Sequence, residues 1–216
     1  MTIQTMYAIA MALLSLGAPP KELPPTDMKL TTSTGVTVEL CPPASVHMIC
    51  ESIWGSQTKE EYKQDISAVV EGEIIGTSEV KIRFNYNDRT YETYETLYSV
   101  FVKENFWNAP ENIEIVVAVP ESSYADIVDI PNFKIGDEAV FLLRDTAAIE
   151  NDPMDLKSYA GYYVMSPADI GVVKNDTVTV DSIISASPDE QAYANQSKVI
   201  LTFDDFRSKA ADLLSE

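Results

Sequence analysis

The stretch ISAVVEGEIIG, residues 66–76, opens a region of the chain whose composition predicts β-structure. Val, Ile, Tyr, Phe and Thr dominate this stretch and the runs after it, and turn formers such as NDR, NAPEN and KND separate the runs. The later runs are EVKIRFNY (79–86), TYETLYSVFVKE (93–104), NIEIVVAVP (112–120), EAVFLLRD (138–145), YYVM (162–165) and TVTVDSII (177–184). Because no helical pattern interrupts them, they predict an antiparallel barrel or sandwich of five to seven strands.

The last segment, LTFDDFRSKAADLLSE, has the pattern of an amphipathic helix. Thr202 is a candidate N-cap, with Asp205 three residues further on. The apolar stripe consists of Phe203, Phe206, Ala210, Leu213 and Leu214. We expect this stripe to pack against an open side of the barrel.

The order of these runs, with the turn FKIGD before EAVFLL, resembles small secreted OB-like β-barrel domains found in uncharacterised bacterial and archaeal extracellular proteins. The resemblance covers residues 66–214. It implies that Phe133, Gly136 and Asp137 form a turn before the strand that enters the barrel, with Gly136 relieving a tight backbone. It implies no activity. The predicted fold is therefore mainly β: an OB-like antiparallel barrel with an N-terminal helical extension and a C-terminal helix.

The chain divides into four predicted segments. Residues 1–17 contain an apolar core from Met6 to Leu16 that is too short to span a bilayer. Small residues at Ser15 and Gly17 suit signal-peptide cleavage before Ala18, but no Lys or Arg precedes the apolar core, so an apolar N-terminal helix is the alternative. Residues 18–34 are a proline-rich spacer, residues 35–65 a strand with a helical segment, and residues 66–216 the barrel domain with its closing helix.

The segment 35–65 combines several short patterns. VTVEL (36–40) alternates like a strand. Apolar residues at 46, 49, 50, 53 and 54 have helical spacing, so they predict a helix that begins after Pro43. TKEE (58–61) has the form of a capping box and predicts a second short helix.

Both cysteines and the single histidine of the chain lie in CPPASVHMIC, residues 41–50. In an exported protein, a disulfide between Cys41 and Cys50 is the favoured interpretation. Two buried thiols are an alternative. The third interpretation is a soft-metal site for copper or zinc, with Cys41, His47, Met48 and Cys50 as candidate ligands.

Two further patterns suggest sites. Glu150, Asp152 and Asp155 in IENDPMD are candidate calcium ligands, although EF-hand spacing is absent and a solvated loop is the favoured interpretation. Asn175 and Asn195 begin N-glycosylation sequons.

The tyrosine-rich segment from Tyr86 to Tyr98 has two interpretations. It can present aromatic rings to a ligand, but alternation in a half-buried sheet produces the same pattern, which favours a core role.

Charge and missing motifs restrict the function. The chain has 34 acidic and 15 basic residues and a net charge of −19, which disfavours nucleic acids and anionic lipids as partners. The sequence contains no G-x-S-x-G, P-loop or G-x-G-x-x-G motif. It therefore predicts a non-enzymatic exported or cell-surface module for binding, adhesion or structural interaction, with a protein or surface partner, no cofactor, and no transmembrane span after signal removal.

Two other functions stay open. One is a soft-metal handling protein that uses residues 41–50. The other is a carboxylate-dependent hydrolase, which would require a pocket lined by two carboxylates on facing strands.

Overall fold

A computed structural model describes residues 28–42, 48–50, 59–109, 113–127, 130–185 and 197–214. For residues 48–50, 60, 61 and 125–127 the description is limited to the backbone. The predicted leader, most of the predicted spacer, His47 and Asn195 lie outside these ranges.

The described residues form twelve strands and two α-helices. The strands are β1 Lys29–Thr31, β2 Thr37–Leu40, β3 Met48–Cys50, β4 Ala68–Tyr86, β5 Arg89–Trp107, β6 Glu114–Val119, β7 Ala125–Ile127, β8 Glu138–Asp145, β9 Tyr162–Tyr163, β10 Ile170–Lys174, β11 Thr177–Asp181 and β12 Lys198–Thr202. The helices are α1 Lys59–Gln64 and α2 Phe203–Leu214. The prediction of a mainly β fold is confirmed.

Ten of these strands belong to one sheet, in the order β1-β2-β4-β5-β6-β9-β8-β10-β11-β12. Strand β8 also pairs with β4, so β4, β5, β6, β9 and β8 form a ring of five strands. The ring is antiparallel except where β6 and β9 run parallel. The sheet also includes the β1–β2 hairpin, which precedes the predicted barrel segment and pairs with β4.

Strands β4 and β5 form one hairpin of 19 residues on each side. Their pairing extends to Tyr86 and Arg89, and the turn residues Asn87 and Asp88 both have positive φ, as a tight two-residue hairpin turn requires. Strand β8 pairs with the first part of β4, whereas β2 pairs with residues 80–83. We call residues 80–95 the arm. The hairpin therefore passes from the ring into the arm without interruption.

Glycine allows β4 to curve through the ring. The β4–β5 register shifts between Glu71 and Gly72, which marks a bulge in the strand. A Cβ atom at Gly72 would lie 2.2 Å from Cγ1 of Val100, so the backbone of β5 approaches closely there. Two runs that the sequence separates at residue 76 are consequently one strand.

Three apolar clusters form the core. The ring core fills the five-stranded ring, the outer core lies between the sheet and α2, and the arm core lies between the arm and the loop of residues 146–161, which we call the covering loop. Their largest fully buried members include Tyr98, Phe141 and Ile74 in the ring core, Tyr62, Phe206 and Leu213 in the outer core, and Ile82 in the arm core.

Both confirmed helices follow their sequence signals. Helix α1 begins inside the predicted capping box. At the start of α2 the hydroxyl of Thr202 accepts a hydrogen bond from the backbone N–H of Asp205 at 3.1 Å. Phe206 and Leu213 are buried in the outer core, so the predicted packing of this helix is confirmed. None of the helices in the described ranges has the length and apolar character needed to cross a membrane.

One prediction for the N-terminal segment is wrong. The expected helix over residues 46–54 is replaced at Met48–Cys50 by β3, which pairs in parallel with β7. The three residues Met48–Cys50 fit both the helical and the strand periodicity, so the sequence pattern does not distinguish them. Their pairing with β7, which is distant in the sequence, gives the strand. In the predicted spacer, Lys29–Thr31 forms β1, and Gly35 with φ +86 turns the chain into β2.

Candidate functional site

A polar cleft of about 580 Å³ lies beside the ring, within the size range of small-molecule sites. Strands β4 and β5, the turn before β8, the β10–β11 turn and the first residue of α2 enclose it. The lining residues are Glu71, Lys103, Glu104, Gly136, Asp137, Glu138, Val173, Lys174, Asn175, Asp176 and Phe203. Carboxylates outnumber cations among them, so the cleft shares the acidic character of the chain.

A turn over residues 134–137 precedes β8, at the predicted Phe133, Gly136 and Asp137 segment. Gly136 has φ +92, and its N–H donates to the carbonyl of Ile74 at 2.8 Å. The carboxylate of Asp137 accepts the N–H of Lys134 at 2.7 Å. This turn sets Glu138 at the start of β8, next to the cleft.

Lys103 joins two carboxylates from neighbouring strands in this cleft. Its Nζ lies 2.6 Å from Oε1 of Glu138 and 3.9 Å from Oε1 of Glu71. These two oxygens are therefore at most about 6.5 Å apart.

The environments of the two carboxylates differ. Burial raises the pKa of Glu71 above its usual value, although the nearby Lys103 opposes the shift. The hydrogen bond that Lys103 donates to Glu138 raises the pKa of Lys103, which keeps the ammonium charged. The cleft thus holds one carboxyl group whose pKa is raised beside one that is paired with a cation.

Arg207 of α2 pairs with Glu104, a residue that lines the cleft. Its guanidinium binds the carboxylate of Glu104 at 2.5 Å and that of Asp204 at 2.8 Å. The same guanidinium lies 5.8 Å from the ring centroid of Phe106. These exposed contacts fix the position of the helix start relative to β5.

The outer part of the arm presents an aromatic surface. Residues directly opposite in the β4–β5 register share a face, which places Phe84, Tyr91 and Tyr86 together on one side. The rings of Phe84 and Tyr91 are stacked, with centroids 5.6 Å apart and planes 19° apart. Tyr86 is 51% exposed and Tyr91 is 41% exposed. We call these three residues the aromatic face.

Of the tyrosines between Tyr86 and Tyr98, some are in the core and others are on the surface, so each of the two interpretations holds for part of the segment. Tyr98 is buried and packs edge-on against Phe133 at 5.9 Å, as the core interpretation predicts. Tyr86 and Tyr91 are exposed at the tip of the arm. On the other face Tyr94 stacks on Tyr124 at 4.4 Å.

The favoured disulfide is not present. Cys41 has a free, half-buried thiol, and its backbone N–H continues the pairing of β2 with β4 by donating to Glu79. Cys50 ends β3 in the separate two-stranded sheet, so the two cysteines belong to different sheets. Burial, followed by the charge of Glu79, raises the pKa of the Cys41 thiol to about 11.

Of the four predicted soft-metal ligands, only Cys41 has a described side chain. In the described ranges, no group of three or more His, Cys, Asp or Glu side chains is placed to hold a metal ion. His47 lies outside those ranges, and Met48 and Cys50 are described only in their backbone, so the soft-metal hypothesis stays a prediction.

The candidate calcium loop is stabilised by its own hydrogen bonds. The carboxylate of Asp152 accepts the backbone N–H groups of Met154 and Leu156 at 2.8 and 2.6 Å. The buried carboxylate of Asp155 accepts the hydroxyl of Thr34 at 2.7 Å. Glu150 is exposed.

One sequon has a described position. Asn175 is exposed in the β10–β11 turn with φ 48, beside the cleft. Asn195 lies outside the described ranges.

Sequence reasoning named Gly136, Asp137 and Asn175 but missed the charged group Glu71, Lys103 and Glu138 in the same cleft. Glu71, Lys103 and Glu138 come from three strands, and their proximity depends on the cross-strand register. The available sequence signal for this cleft was the Gly136-Asp137 turn, together with the alternating glutamates Glu71 and Glu73. No family model, curated protein or solved structure matches this chain.

Proposed function

We propose that the protein is a non-enzymatic exported or cell-surface binding module, built on an OB-like barrel, that binds neutral saccharide chains with the aromatic face of its arm. The observation that carries this proposal is the pair of exposed tyrosines, Tyr86 and Tyr91, which lie beside the half-buried Phe84 at the tip of a long hairpin. Single exposed apolar residues are common on protein surfaces, whereas three adjacent aromatic rings mark an interaction site.

The chemistry of the arm favours a neutral saccharide. Aromatic faces carry negative partial charge and attract the polarised C–H groups on the flat side of a pyranose. Residues 80–95 contain three basic and three acidic side chains, in a chain whose net charge is −19. The balanced arm neither attracts nor repels a charged polymer strongly, so stacking decides the ligand.

The ring and the leader support the remaining parts of the proposal. Five strands that return to their starting strand are compatible with an OB-like barrel. The apolar segment 6–16 and the small residues after it support export. Expression from the first residue followed by N-terminal sequencing tests the export step: a mature chain that begins at Ala18 is expected, and an intact cytoplasmic chain would contradict it.

Affinity electrophoresis in gels containing laminarin, mannan or soluble cellulose derivatives tests saccharide binding. We expect retardation in at least one gel and about tenfold weaker binding for the Tyr86→Ala/Tyr91→Ala double variant, because two stacking contacts are lost. Ile200→Ala is the matched control, since Ile200 is 71% exposed on β12, outside the arm. Equal retardation of both variants, or of no protein in any gel, would refute the proposal.

A second candidate is a carboxylate-dependent hydrolase that acts in the cleft. It is favoured by Glu71 and Glu138, which lie on neighbouring strands and contact the same ammonium group. In this mechanism Glu71, with its raised pKa, donates a proton to the leaving oxygen. Glu138 acts on the opposite side as nucleophile or base.

Release of reducing sugar from the same polysaccharides tests this second candidate. Glu71→Gln and Glu138→Gln should each lower a wild-type rate at least a hundredfold. Glu73→Gln is the control, because Glu73 follows Glu71 on the same strand and does not line the cleft. If the wild-type protein releases no reducing sugar from any of these polysaccharides, the hydrolase candidate is wrong.

A further inference from the structure

Tyr94 of β5 and Tyr124, which directly precedes β7, stack on each other. Their ring centroids are 4.4 Å apart and their ring planes differ by 11°. Among the aromatic contacts of the described residues, this is the only one that joins two phenol rings, because every other pair contains a phenylalanine. We call these two residues the tyrosine pair.

Hydrogen bonds hold Tyr124 in this position. Its hydroxyl donates to the backbone carbonyl of Pro42 at 2.7 Å. The preceding residue, Ser123, donates its backbone N–H and its hydroxyl to the carboxylate of Glu79 at 2.9 and 2.5 Å. The segment before β7 is therefore fixed against β4 and against the residues that follow β2, so the two rings are already in contact in the folded chain.

The tyrosine pair lies where a dissolved oxidant can reach it. Both side chains are half-buried, whereas the rings of Tyr62 and Tyr98 are almost completely buried in the core. The pair therefore combines partial access from solvent with a fixed neighbouring phenol.

Two phenols in contact can be joined by one-electron oxidation. Each hydroxyl loses one electron and one proton, which gives two phenoxyl radicals with unpaired spin on the ring carbons ortho to the oxygen. Two ortho carbons form a carbon–carbon bond, and each ring becomes aromatic again when its ortho hydrogen moves to the oxygen. The protein loses two hydrogen atoms in total, and a haem peroxidase uses them to reduce one hydrogen peroxide to two water molecules.

The geometry of the pair favours this reaction within one molecule. At a centroid separation of 4.4 Å, a small tilt of the side chains brings ortho carbons of the two rings together. Reacting groups that are held side by side combine much faster than groups that must first meet by diffusion. Phenylalanine stacks as well as tyrosine does, but it has no hydroxyl hydrogen to lose.

We propose that Tyr94 and Tyr124 form an oxidative cross-linking site, at which a haem peroxidase and hydrogen peroxide join the two rings as dityrosine. The new bond connects β5 covalently to the segment before β7. The inference rests on the proposed export only for the supply of oxidant, and it is independent of the ligand of the arm. The cross-linking test uses purified protein, so its failure is distinguishable from a failure of export.

Oxidation of dilute purified protein tests the site. One sample receives hydrogen peroxide and a haem peroxidase, and a parallel sample receives ruthenium tris-bipyridyl, persulfate and light. After reduction of disulfides, we expect an intact mass two hydrogens lighter and dityrosine fluorescence in a band that migrates as the monomer. Peptide mapping should show the peptides of Tyr94 and Tyr124 joined to each other.

Three kinds of variant make the result specific. Tyr94→Phe and Tyr124→Phe keep the stacking but should each lower the yield of cross-linked monomer about tenfold or more, because the fixed partner phenol is lost. Tyr91→Phe is the matched control, since Tyr91 lies on the same strand, is exposed and stacks on a phenylalanine; its yield should equal that of the wild type. Cys41→Ser removes a thiol next to Pro42 that can return a hydrogen atom to the Tyr124 radical, so its yield should be at least that of the wild type.

The proposal is overturned by any of three results. These are the absence of the lighter monomer from both the wild type and Cys41→Ser with either oxidant, an unchanged yield in Tyr94→Phe or Tyr124→Phe, and dityrosine found only in cross-linked dimers.

Discussion

Replacing Asp169 with alanine should destabilise the protein more than most single substitutions. Asp169 is fully buried and accepts four hydrogen bonds, from the Tyr62 hydroxyl at 2.8 Å, Arg144 Nη1 at 2.6 Å, and the backbone N–H groups of Met165 and Ser166 at 2.7 and 2.9 Å. Nε and Nη2 of Arg144 have no hydrogen-bond partner, so Asp169 provides the hydrogen bond of this buried guanidinium. The cluster connects α1 and β8 to the turn before β10.

The magnitude follows from the charge that the substitution leaves behind. Removing one partner of a buried ion pair costs roughly 3–5 kcal/mol, because the other charge stays buried and uncompensated. Since typical domains are stable by about 5–15 kcal/mol, Asp169→Ala should remove a large part of the total. For a chain of this size the melting temperature should fall by about 10 °C.

Urea denaturation followed by circular dichroism measures this loss. The double variant Arg144→Met/Asp169→Leu is the informative comparison. It should recover only part of the stability, because it removes the uncompensated charge but leaves the Tyr62 hydroxyl and the backbone N–H groups of Met165 and Ser166 without their acceptor. An Asp169→Ala variant that loses less than about 1 kcal/mol would refute the reasoning, as would a double variant less stable than Asp169→Ala alone.

Three other outcomes are expected. Gly72→Ala should cost about 1–3 kcal/mol in thermal unfolding because its Cβ would overlap Val100, whereas Gly161→Ala, whose Cβ would meet nothing closer than 3.9 Å, should cost less; equal losses would contradict the close approach of β5. Phe206→Ala should cost about 3–5 kcal/mol and lower the helical signal in circular dichroism, since Phe206 is fully buried; an unchanged melting curve would contradict the packing of α2. The Cys41 thiol should react slowly with iodoacetamide at pH 8 and faster as the pH rises toward 11, because its raised pKa keeps it protonated below that pH; intact mass two hydrogens lighter under non-reducing conditions would show a disulfide instead.

Short sequence patterns correctly predicted the elements whose conformation depends mainly on neighbouring residues, namely α2 and the strands rich in β-branched residues. The Thr202 cap and the spacing of Phe206, Ala210 and Leu213 were sufficient for α2. The runs rich in β-branched residues gave the sheet. In contrast, Met48–Cys50 lacked the length to distinguish helix from strand, and its partner β7 lies more than seventy residues away.

The composition of the cleft and the burial of Glu95 depend on strand register, which local patterns do not specify. Glu71, Lys103 and Glu138 meet because β8 and β5 both pair with β4. In β5 the two-residue period places Tyr91 and Glu95 on one face of the sheet and Glu92 and Tyr94 on the other. This period does not show that Glu95 is buried while Tyr91 is exposed. That difference depends on the strand register and on the position of the covering loop.

The continuous β4–β5 hairpin also has a consequence for the order of folding. Its turn joins Tyr86 to Arg89, so pairing can begin between neighbours and extend outward, whereas ring closure joins Ala68 to Leu143 across a long loop. On the ribosome the hairpin is complete before β8 has been synthesised, and the β8-pairing edge of β4 waits unpaired for it. We expect φ-values for substitutions in the outer hairpin to exceed those in β8, so closure of the ring is the late step of folding.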